Sequence, residues 1–330
     1  MRVWFSLLLV LLIGPGWSGE ERVALPGDGA RVTAERVALA PGDPAVRRAG
    51  ALVFLGGVAL SSDDPAFGGF SALAVRGERF TLLGDGGTLA RFRMGADWTP
   101  RGFDLDTLPA GPGMGWRKAD RDAEAMAIDP RTGRTWVAFE NANAIWRYAP
   151  GFARAERWRR SRAMARWPEA GGPESMARLR DGRFLAISET RRPPRTADGK
   201  RPETRVGLIF AGDPAGRITP VRRFAYRPER GYHPVDMAEL PDGRLLVLER
   251  GFVPPFRWRT RIALVARGAV RAEATVRGRT VARLVPPIVT ENFEGLAVTR
   301  EGGATVVWLV SDDNRLPIQR TLLLKFRLDA

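Results

Sequence analysis

Residues 291–298 read ENFEGLAV and place an acidic side chain directly before a short apolar run with the composition of a β-strand. Four earlier segments resemble it, each with a polar residue shortly ahead of a large apolar residue and an alanine. The five polar residues are Ser71, Glu124, Glu174, Asp236 and Glu294, at intervals of 53, 50, 62 and 58 residues. We expect them to occupy equivalent positions, because self-similarity at such a period predicts a repeat architecture.

Each repeat continues with a turn and two further apolar segments. The turns are RGER, DPRTGR, RDGR, PDGR and REGGA, and such polar, glycine-containing stretches are typical of tight connections between strands. Every second apolar segment ends on an acid: Asp85, Glu140, Glu189, Glu249 and Asp312. A more variable fourth segment is visible in most repeats. Four short antiparallel strands in about 40 to 60 residues indicate the blade of a β-propeller.

Five copies of the repeat predict an all-β protein, a single propeller with five four-stranded blades. Six blades stay open as an alternative if residues 32–62 form a degenerate blade. The last repeat ends after its third strand, so we expect the apolar residues 51–62 to supply the missing outer strand and close the ring. No stretch divides the chain, and residues 23–330 are therefore interpreted as one propeller domain.

The acids are expected to meet at one mouth of the central channel. The first strand of a blade lies nearest the channel, and its start shares a face with the end of the second strand because a hairpin reverses direction. Closely spaced carboxylates raise one another's pKa, and a bound cation relieves the repulsion. Hard oxygen ligands favour calcium. The predicted calcium ligands are Glu124, Glu174, Asp236, Glu294, Asp312 and Asp313.

Two other roles for these acids stay open. Glu140, Glu189 and Glu249 can pair with arginines such as Arg191 and Arg250, and Glu124, Glu174 and Glu294 can accept backbone N–H groups and hold neighbouring blades together. The chain has no cysteine and a single histidine, His233, which argues against a tightly held transition metal.

Hydrolysis through a protein nucleophile has little support in the sequence. There is no Gly-x-Ser-x-Gly motif and no cysteine, so attack by water with the help of a metal is the remaining route. The candidate catalytic carboxylates are Glu294, Glu249 and Asp312. The candidate substrate-binding residues are Arg250, Arg315 and His233, which stand beside predicted mouth acids, and His233 equally suits a structural role.

The first residues have the pattern of a secretory signal peptide over residues 1–19. Arg2 precedes an apolar run at residues 3–13, and small residues follow at Ser18 and Gly19. The run is shorter than the about 20 residues that a membrane span needs. We predict a periplasmic or secreted protein whose mature chain has no transmembrane segment, with an uncleaved anchor as the alternative.

The net charge of +15 at pH 7 comes almost entirely from arginine. Residues 154–167 and 191–205 are strongly basic, but no nucleic-acid recognition motif is present and export removes the protein from nucleic acid. The charge instead suits a small anionic substrate, with or without a phosphate group, or an anionic envelope surface. We expect a monomer.

The repeats resemble the phytase-like family, exported bacterial proteins with esterase-like activity of phytase type. The resemblance spans residues 45 to 329, and the segments that carry it are FGGFSALAV, DAEAMAID, GPESMARLRDGRFLAISE, and ENFEGLAV followed by LVSDDN and TLLLKFRL. It implies a propeller, an exported location and hydrolysis of phosphate esters. The more distant β-propeller phytases hold calcium at the channel mouth with acids and bind phosphate with basic residues. Ser71 departs from that pattern, because the other repeats have an acid there.

Two classes of function are compatible with the sequence. The first is a calcium-dependent hydrolase of phosphate monoesters or related esters, with a sugar-lactone hydrolase as a variant. The second is a propeller without catalytic activity that binds a ligand or an envelope partner at its mouth. The fold alone does not decide between them.

Overall fold

The computed structural model describes residues 22–255 and 257–330, so the predicted signal peptide lies outside the described residues. The described residues form 23 strands and two short 3-10 helices, at Lys118–Asp120 and Pro150–Phe152. In chain order the strands are β1 (Val32–Arg36), β2 (Arg48–Ala49), β3 (Leu52–Ser62), β4 (Phe70–Arg76), β5 (Arg79–Gly84), β6 (Thr88–Met94), β7 (Pro100–Thr107), β8 (Ala123–Ile128), β9 (Thr135–Phe139), β10 (Ala144–Tyr148), β11 (Ala155–Arg160), β12 (Ser175–Arg178), β13 (Phe184–Ile187), β14 (Arg205–Phe210), β15 (Val221–Tyr226), β16 (His233–Glu239), β17 (Leu245–Val253), β18 (Arg257–Val265), β19 (Thr275–Val276), β20 (Arg279–Leu284), β21 (Asn292–Glu301), β22 (Ala304–Asp312) and β23 (Thr321–Leu328).

The strands assemble into five antiparallel sheets, which confirms the prediction of a five-bladed propeller. Blade 1 has the order β4-β5-β6-β7, and blade 2 has the order β8-β9-β10-β11. Blade 3 has the order β12-β13-β14-β15, with the two-residue strand β19 added in parallel at its outer edge. Blade 4 has the order β16-β17-β18-β20.

The fifth blade combines the two ends of the described chain. Its order is β21-β22-β23-β3, with β1 outside β3 and the short β2 also paired to β3. The antiparallel register of β23 with β3 runs from Thr321 opposite Leu60 to Leu328 opposite Leu52. The predicted closure of the ring by an N-terminal strand is confirmed, and residues 32–62 belong to this blade rather than to a sixth.

The first strands of the five blades surround the channel. Strands β4, β8, β12, β16 and β21 contact one another in this order, and β21 contacts β4. The hairpins that join first to second strands turn on glycines with positive φ, for example Gly182 at +89° and Gly243 at +84°. Both follow an aspartate, and glycine adopts this backbone conformation without the steric cost of a Cβ.

The hydrophobic core lies between adjacent blades. Each sheet is covered on both faces, which explains why the second strands are almost wholly apolar. Aromatic pairs bridge neighbouring blades: Phe80 of blade 1 meets Trp308 of blade 5 at 4.9 Å, and Trp136 of blade 2 meets Phe184 of blade 3 at 4.8 Å. Such pairs contribute about 0.5–1.5 kcal/mol beyond their buried area. Among the described residues, no helix is long and apolar enough to cross a membrane.

Candidate metal and substrate site at the channel mouth

A β-bulge marks the start of the first strand in most blades. The register between first and second strands shifts by one residue at Ser71 in blade 1, at Glu124 in blade 2 and at Glu294 in blade 5. A bulge leaves one residue unpaired and re-aims its side chain, and bulges are common beside functional sites. The strand-leading polar residues of these three repeats are therefore structurally equivalent.

The expected equivalence of Asp236 is wrong. In blade 4 the register shifts between Pro234 and Asp236, so that Val235 is the bulged residue. The Asp236 carboxylate accepts the backbone N–H of Met237 at 2.8 Å and that of Leu296 in blade 5 at 2.6 Å. Burial raises its pKa well above the usual range. Asp236 thus joins blades 4 and 5.

In blade 4 the residue at the end of the second strand is also one position later than the sequence repeat predicts. Arg250 pairs with His233, just as Asp312 pairs with Asn292. The equivalent residues in the other three blades are the acids Asp85, Glu140 and Glu189, whose N–H groups bond to the start of the first strand. An arginine therefore occupies in blade 4 the place that carries a carboxylate in the other four blades.

The prediction that Glu249 lies at the mouth is wrong. Its side chain is fully buried one position before Arg250. The carboxylate accepts Tyr226 Oη at 2.5 Å, Arg261 Nη1 at 2.6 Å and the Glu229 N–H at 3.2 Å. A buried carboxylate needs such partners to offset its lost hydration. Glu249 therefore stabilises the contact between blades 3 and 4.

Three carboxylates of blade 2 form the densest acidic group at the mouth. One oxygen from each of Asp122, Glu124 and Glu140 lies within 4.8 Å of the others. Burial first, and then the charges of Glu140 and Asp85, raise the pKa of Asp122 to about 7, although Lys118 opposes the shift. Burial and the charge of Asp122 likewise raise the pKa of Glu124 well above its usual range. This group has the donor chemistry that a hard divalent cation requires, so the acidic cluster can hold a metal ion.

Side-chain and backbone donors hold the cluster in place. Glu140 Oε1 accepts the N–H of Gly171 and, at 2.8 Å, that of Gly172, in the connection from blade 2 to blade 3. Asn141 Nδ2 donates to Asp122 at 2.5 Å. Hydrogen bonds of this kind to a ligating carboxylate fix its orientation for metal binding.

Lys118 provides the nearest positive charge to the cluster. Its Nζ lies 2.7 Å from Asp85 Oδ2 and 3.4 Å from Asp122 Oδ1. Burial opposes its charged form, yet the charges of Asp85 and Asp122 outweigh burial and raise its pKa. The other oxygen of Asp85 is buried and has no hydrogen-bond partner among the described residues. One ammonium thus faces four carboxylates, and the local balance stays negative.

Arg250 pairs with the acids on the opposite side of the mouth. Its Nη2 lies 2.9 Å from Glu189 Oε1, and its Nη1 contacts Glu294 Oε1 and lies 3.0 Å from Asn292 Oδ1. Although burial opposes its charge, the carboxylates of Glu174 and Glu189 raise its pKa, so it stays protonated. Glu294 is therefore brought to the mouth as predicted, but as a partner of Arg250.

The remaining predicted residues fall into different environments. Burial and the charge of Glu189 raise the pKa of Glu174 well above its usual range. The Asp313 carboxylate accepts the N–H groups of Gly69 and Arg315 at 2.9 and 3.0 Å and the hydroxyl of Thr321 at 2.8 Å, so it connects blades 1 and 5.

Asp312 combines a raised pKa with a fixed position. Its Oδ1 accepts the N–H of Asn314 at 2.6 Å, and its Oδ2 lies 3.4 Å from Asn292 Nδ2. Burial and the charge of Asp85 raise its pKa to about 7, although Arg250 opposes the shift. A carboxyl group with this pKa can exchange a proton near neutral pH.

Two predicted basic residues lie near the acids. His233 Nδ1 lies 3.5 Å from Glu189 Oε1, and burial lowers the pKa of His233, so the imidazole is mainly neutral at pH 7. Arg315 passes beside Gly86, where an added Cβ would lie 3.4 Å from its Nη2. The Nε of Arg315 is buried and has no hydrogen-bond partner among the described residues.

Sequence reasoning missed Asp122 and underrated Glu140. Asp122 lies opposite Glu140 in the same position that Asn292 takes opposite Asp312, because the Glu140 N–H bonds to the Asp122 carbonyl. The sequence does contain a signal for Asp122, because the pattern D-x-E in blade 2 matches the pattern N-x-E in blade 5.

The fold and the mouth together define a class: a five-bladed β-propeller with a divided, largely acidic channel opening. The chain belongs to the phytase-like family, described as "Esterase-like activity of phytase", whose model matches residues 65–315. This membership supports a hydrolase-type function. No curated protein matches the chain.

Several solved propellers are distantly similar in structure. Glutaminyl cyclase from Myxococcus xanthus matches with a TM-score of 0.44 and 11% identity, over 79% of this chain and 91% of that one. A protein described as a 6-phosphogluconolactonase from Bacteroides fragilis matches with a TM-score of 0.40 and 10% identity, over 90% of this chain and 81% of the other. Likenesses of this strength say nothing about what the chain binds or cleaves.

Proposed function

We propose that the chain is an exported, calcium-dependent hydrolase that cleaves phosphate monoesters or related esters of small anionic substrates. The observation that carries the proposal is the group of three carboxylates in blade 2, with one oxygen of each inside 4.8 Å. The ligands in this proposal are Asp122, Glu124 and Glu140. Of the ligands expected from the sequence, only Glu124 lies in this group.

Calcium bound there would supply positive charge that polarises an ester oxygen. The chain's own residues then have three tasks. They bind the anionic group of the substrate, exchange a proton, and pair with the carboxylates that would otherwise repel the substrate. Lys118 and Arg315 are the cations nearest the acid-rich side, and both can bind a phosphate or carboxylate group. Glu189 and Glu294 are both paired with Arg250, and this pairing reduces their repulsion of an anionic substrate.

Asp312 is the proposed proton-exchanging residue. Its pKa of about 7 gives comparable amounts of acid and base at neutral pH, which is the condition for general acid–base catalysis. Glu249 has no part in this proposal, because it is buried against Arg261.

The test is hydrolysis by the protein exported with its own leader and purified from the periplasm or medium. The substrates are p-nitrophenyl phosphate, phytate, p-nitrophenyl acetate and a sugar lactone, each with calcium and with EDTA. We expect release of phosphate that requires calcium and falls at least about 100-fold in Glu124→Gln. Glu78→Gln is the matched control, because Glu78 is an exposed acid in the turn at the opposite end of blade 1.

Each other outcome would redirect the proposal. Cleavage of the lactone or the acetate alone would replace the phosphate ester as substrate. Calcium binding without any turnover would show a binding propeller instead of an enzyme. A protein retained in the cells with an intact leader would contradict export.

A further inference from the structure

Exposed apolar side chains are concentrated on the mouth face of the disc. By topology this face carries the loops that leave each second strand and those that enter each first strand. Of the nine large apolar side chains that are exposed in the described residues, six lie on this face. They are Leu25, Met114, Trp116, Phe252, Leu316 and Ile318.

Several of these side chains belong to adjoining segments around blade 1. The Val23 N–H donates to the Trp116 carbonyl at 3.1 Å, so the N-terminal segment runs beside the connection from blade 1 to blade 2. Val23 and Arg315 both approach Gly86, which brings the blade 5 loop to the same place. Met114 and Trp116 are 82% and 69% exposed there. The segments that carry Leu25, Met114, Trp116, Leu316 and Ile318 thus form a rim beside the acidic cluster, whereas Phe252 belongs to blade 4.

The same face carries exposed arginines without a side-chain hydrogen bond or ion pair among the described residues. These mouth-face arginines are Arg162, Arg166, Arg192, Arg201, Arg230 and Arg257. The opposite face also carries such arginines, for example Arg131 and Arg267, although others there bind an acid in the same turn, as Arg183 does with Asp181. Positive charge on the mouth face is therefore available to a partner.

We propose that the mouth face docks on an anionic lipid surface. Trp116, Met114 and the other apolar tips enter the interface, and the mouth-face arginines bind lipid phosphates. Apolar side chains and cations on one face are the combination that gives peripheral proteins their affinity for anionic membranes. The docking does not depend on the proposed hydrolysis, although it would bring headgroup esters to the acidic mouth.

The test is flotation of the purified exported protein with phosphatidylglycerol vesicles and with phosphatidylcholine vesicles, in EDTA and without substrate. We expect binding to the anionic vesicles alone, weakened by salt. The double variant Met114→Ser/Trp116→Ser should bind about tenfold more weakly or worse. Removal of Arg192 or Arg201 by substitution with serine should cost about fivefold each.

Ile218→Ser provides the matched control. Ile218 is 89% exposed, but it lies in the connection from β14 to β15 on the opposite face, so its loss should leave vesicle binding unchanged. Absence of binding, equal binding to both lipids, or an equal effect of the control variant would overturn the proposal. A dimer that the double variant dissociates in sedimentation velocity would assign the rim to contact between copies and would overturn it too.

Discussion

The two sides of the channel mouth carry similar acids but balance them differently. On the side of blades 1 and 2, Asp85, Asp122, Glu124 and Glu140 share a single ammonium, that of Lys118. On the other side, Arg250 is bonded to Glu189 and to Glu294, so two carboxylates share one guanidinium. The difference arises because blade 4 places an arginine where the other blades place an acid. The repeated blades therefore place acids around the whole channel mouth. The arginine of blade 4 leaves the side of blades 1 and 2 as the place where a metal cation can bind.

Arg250→Met should have the largest effect on stability. It would leave Glu189 and Glu294 without their charge partner in a desolvated position, and we expect a loss of about 3–5 kcal/mol in the free energy of unfolding. Urea denaturation in EDTA measures this loss in the free energy of unfolding. Arg257→Met is the control, since that exposed arginine should change stability by less than about 0.5 kcal/mol. Equal effects of the two variants would show that Arg250 does not stabilise the acids beside it.

Calcium should stabilise the protein through the acid-rich side only. At a calcium concentration about 100 times the Kd, the free energy of unfolding should rise by about 2.7 kcal/mol. Glu124→Gln should abolish the increase, whereas Glu294→Gln should retain it, because Glu294 is already paired with Arg250. Isothermal titration and thermal denaturation are the measurements. Loss of calcium binding in Glu294→Gln would mean that the ion spans the whole opening.

The stability of the metal-free protein should fall as pH rises from about 5 to about 7. The folded-state pKa values of Asp122 and Asp312 are both raised to about 7, so the folded protein holds these protons more tightly than the unfolded chain. The resulting stabilisation is complete below the unfolded pKa and is lost as pH approaches 7, with a size on the order of 2 kcal/mol. Calcium should oppose the loss, because it favours the ionised carboxylates.

Urea denaturation at several pH values checks this trend. Asp312→Asn should flatten the dependence by removing one of the two groups. A free energy of unfolding that rises over this pH range would contradict the burial assigned to both carboxylates.

Ser71→Ala should have the smallest effect. Ser71 replaces the acid in blade 1, and its Oγ donates to the Ala123 carbonyl at 2.6 Å, which links blades 1 and 2. Loss of this bond should cost about 1 kcal/mol and leave calcium binding intact. Thr33→Ala, which removes an exposed hydroxyl pair with Ser61, serves as the control. A loss of calcium binding in Ser71→Ala would place Ser71 in the metal site.

Local signals were sufficient to predict the blades. The Asp-Gly turns at residues 181–182 and 242–243 separate apolar segments that indeed pair as strands, and the incomplete last repeat indicated that residues 51–62 close the ring. Turn chemistry and apolar composition act over a few residues, so one sequence contains them. The presence of acids at the mouth followed from the same pattern.

The register within blade 4 could not be obtained in this way. The segment HPVDMA offers an acid beside a methionine and an alanine, but the bulge falls on Val235, and Asp236 turns to the backbone of blade 5. A shift of one residue exchanges the two faces of a strand, and nothing in the spacing of turns fixes it. The pairing of Arg250 with Glu294 was hidden for the same reason, because contacts between blades depend on that register.

The pairing of β3 with β23 also determines when the protein can finish folding. Leu60 pairs with Thr321, which is synthesised much later than Leu60, and until then β3 has only β1 and β2 beside it. Contacts between residues so far apart in sequence form late. The ring therefore stays open until β23 has been synthesised, even if the first four blades have already formed.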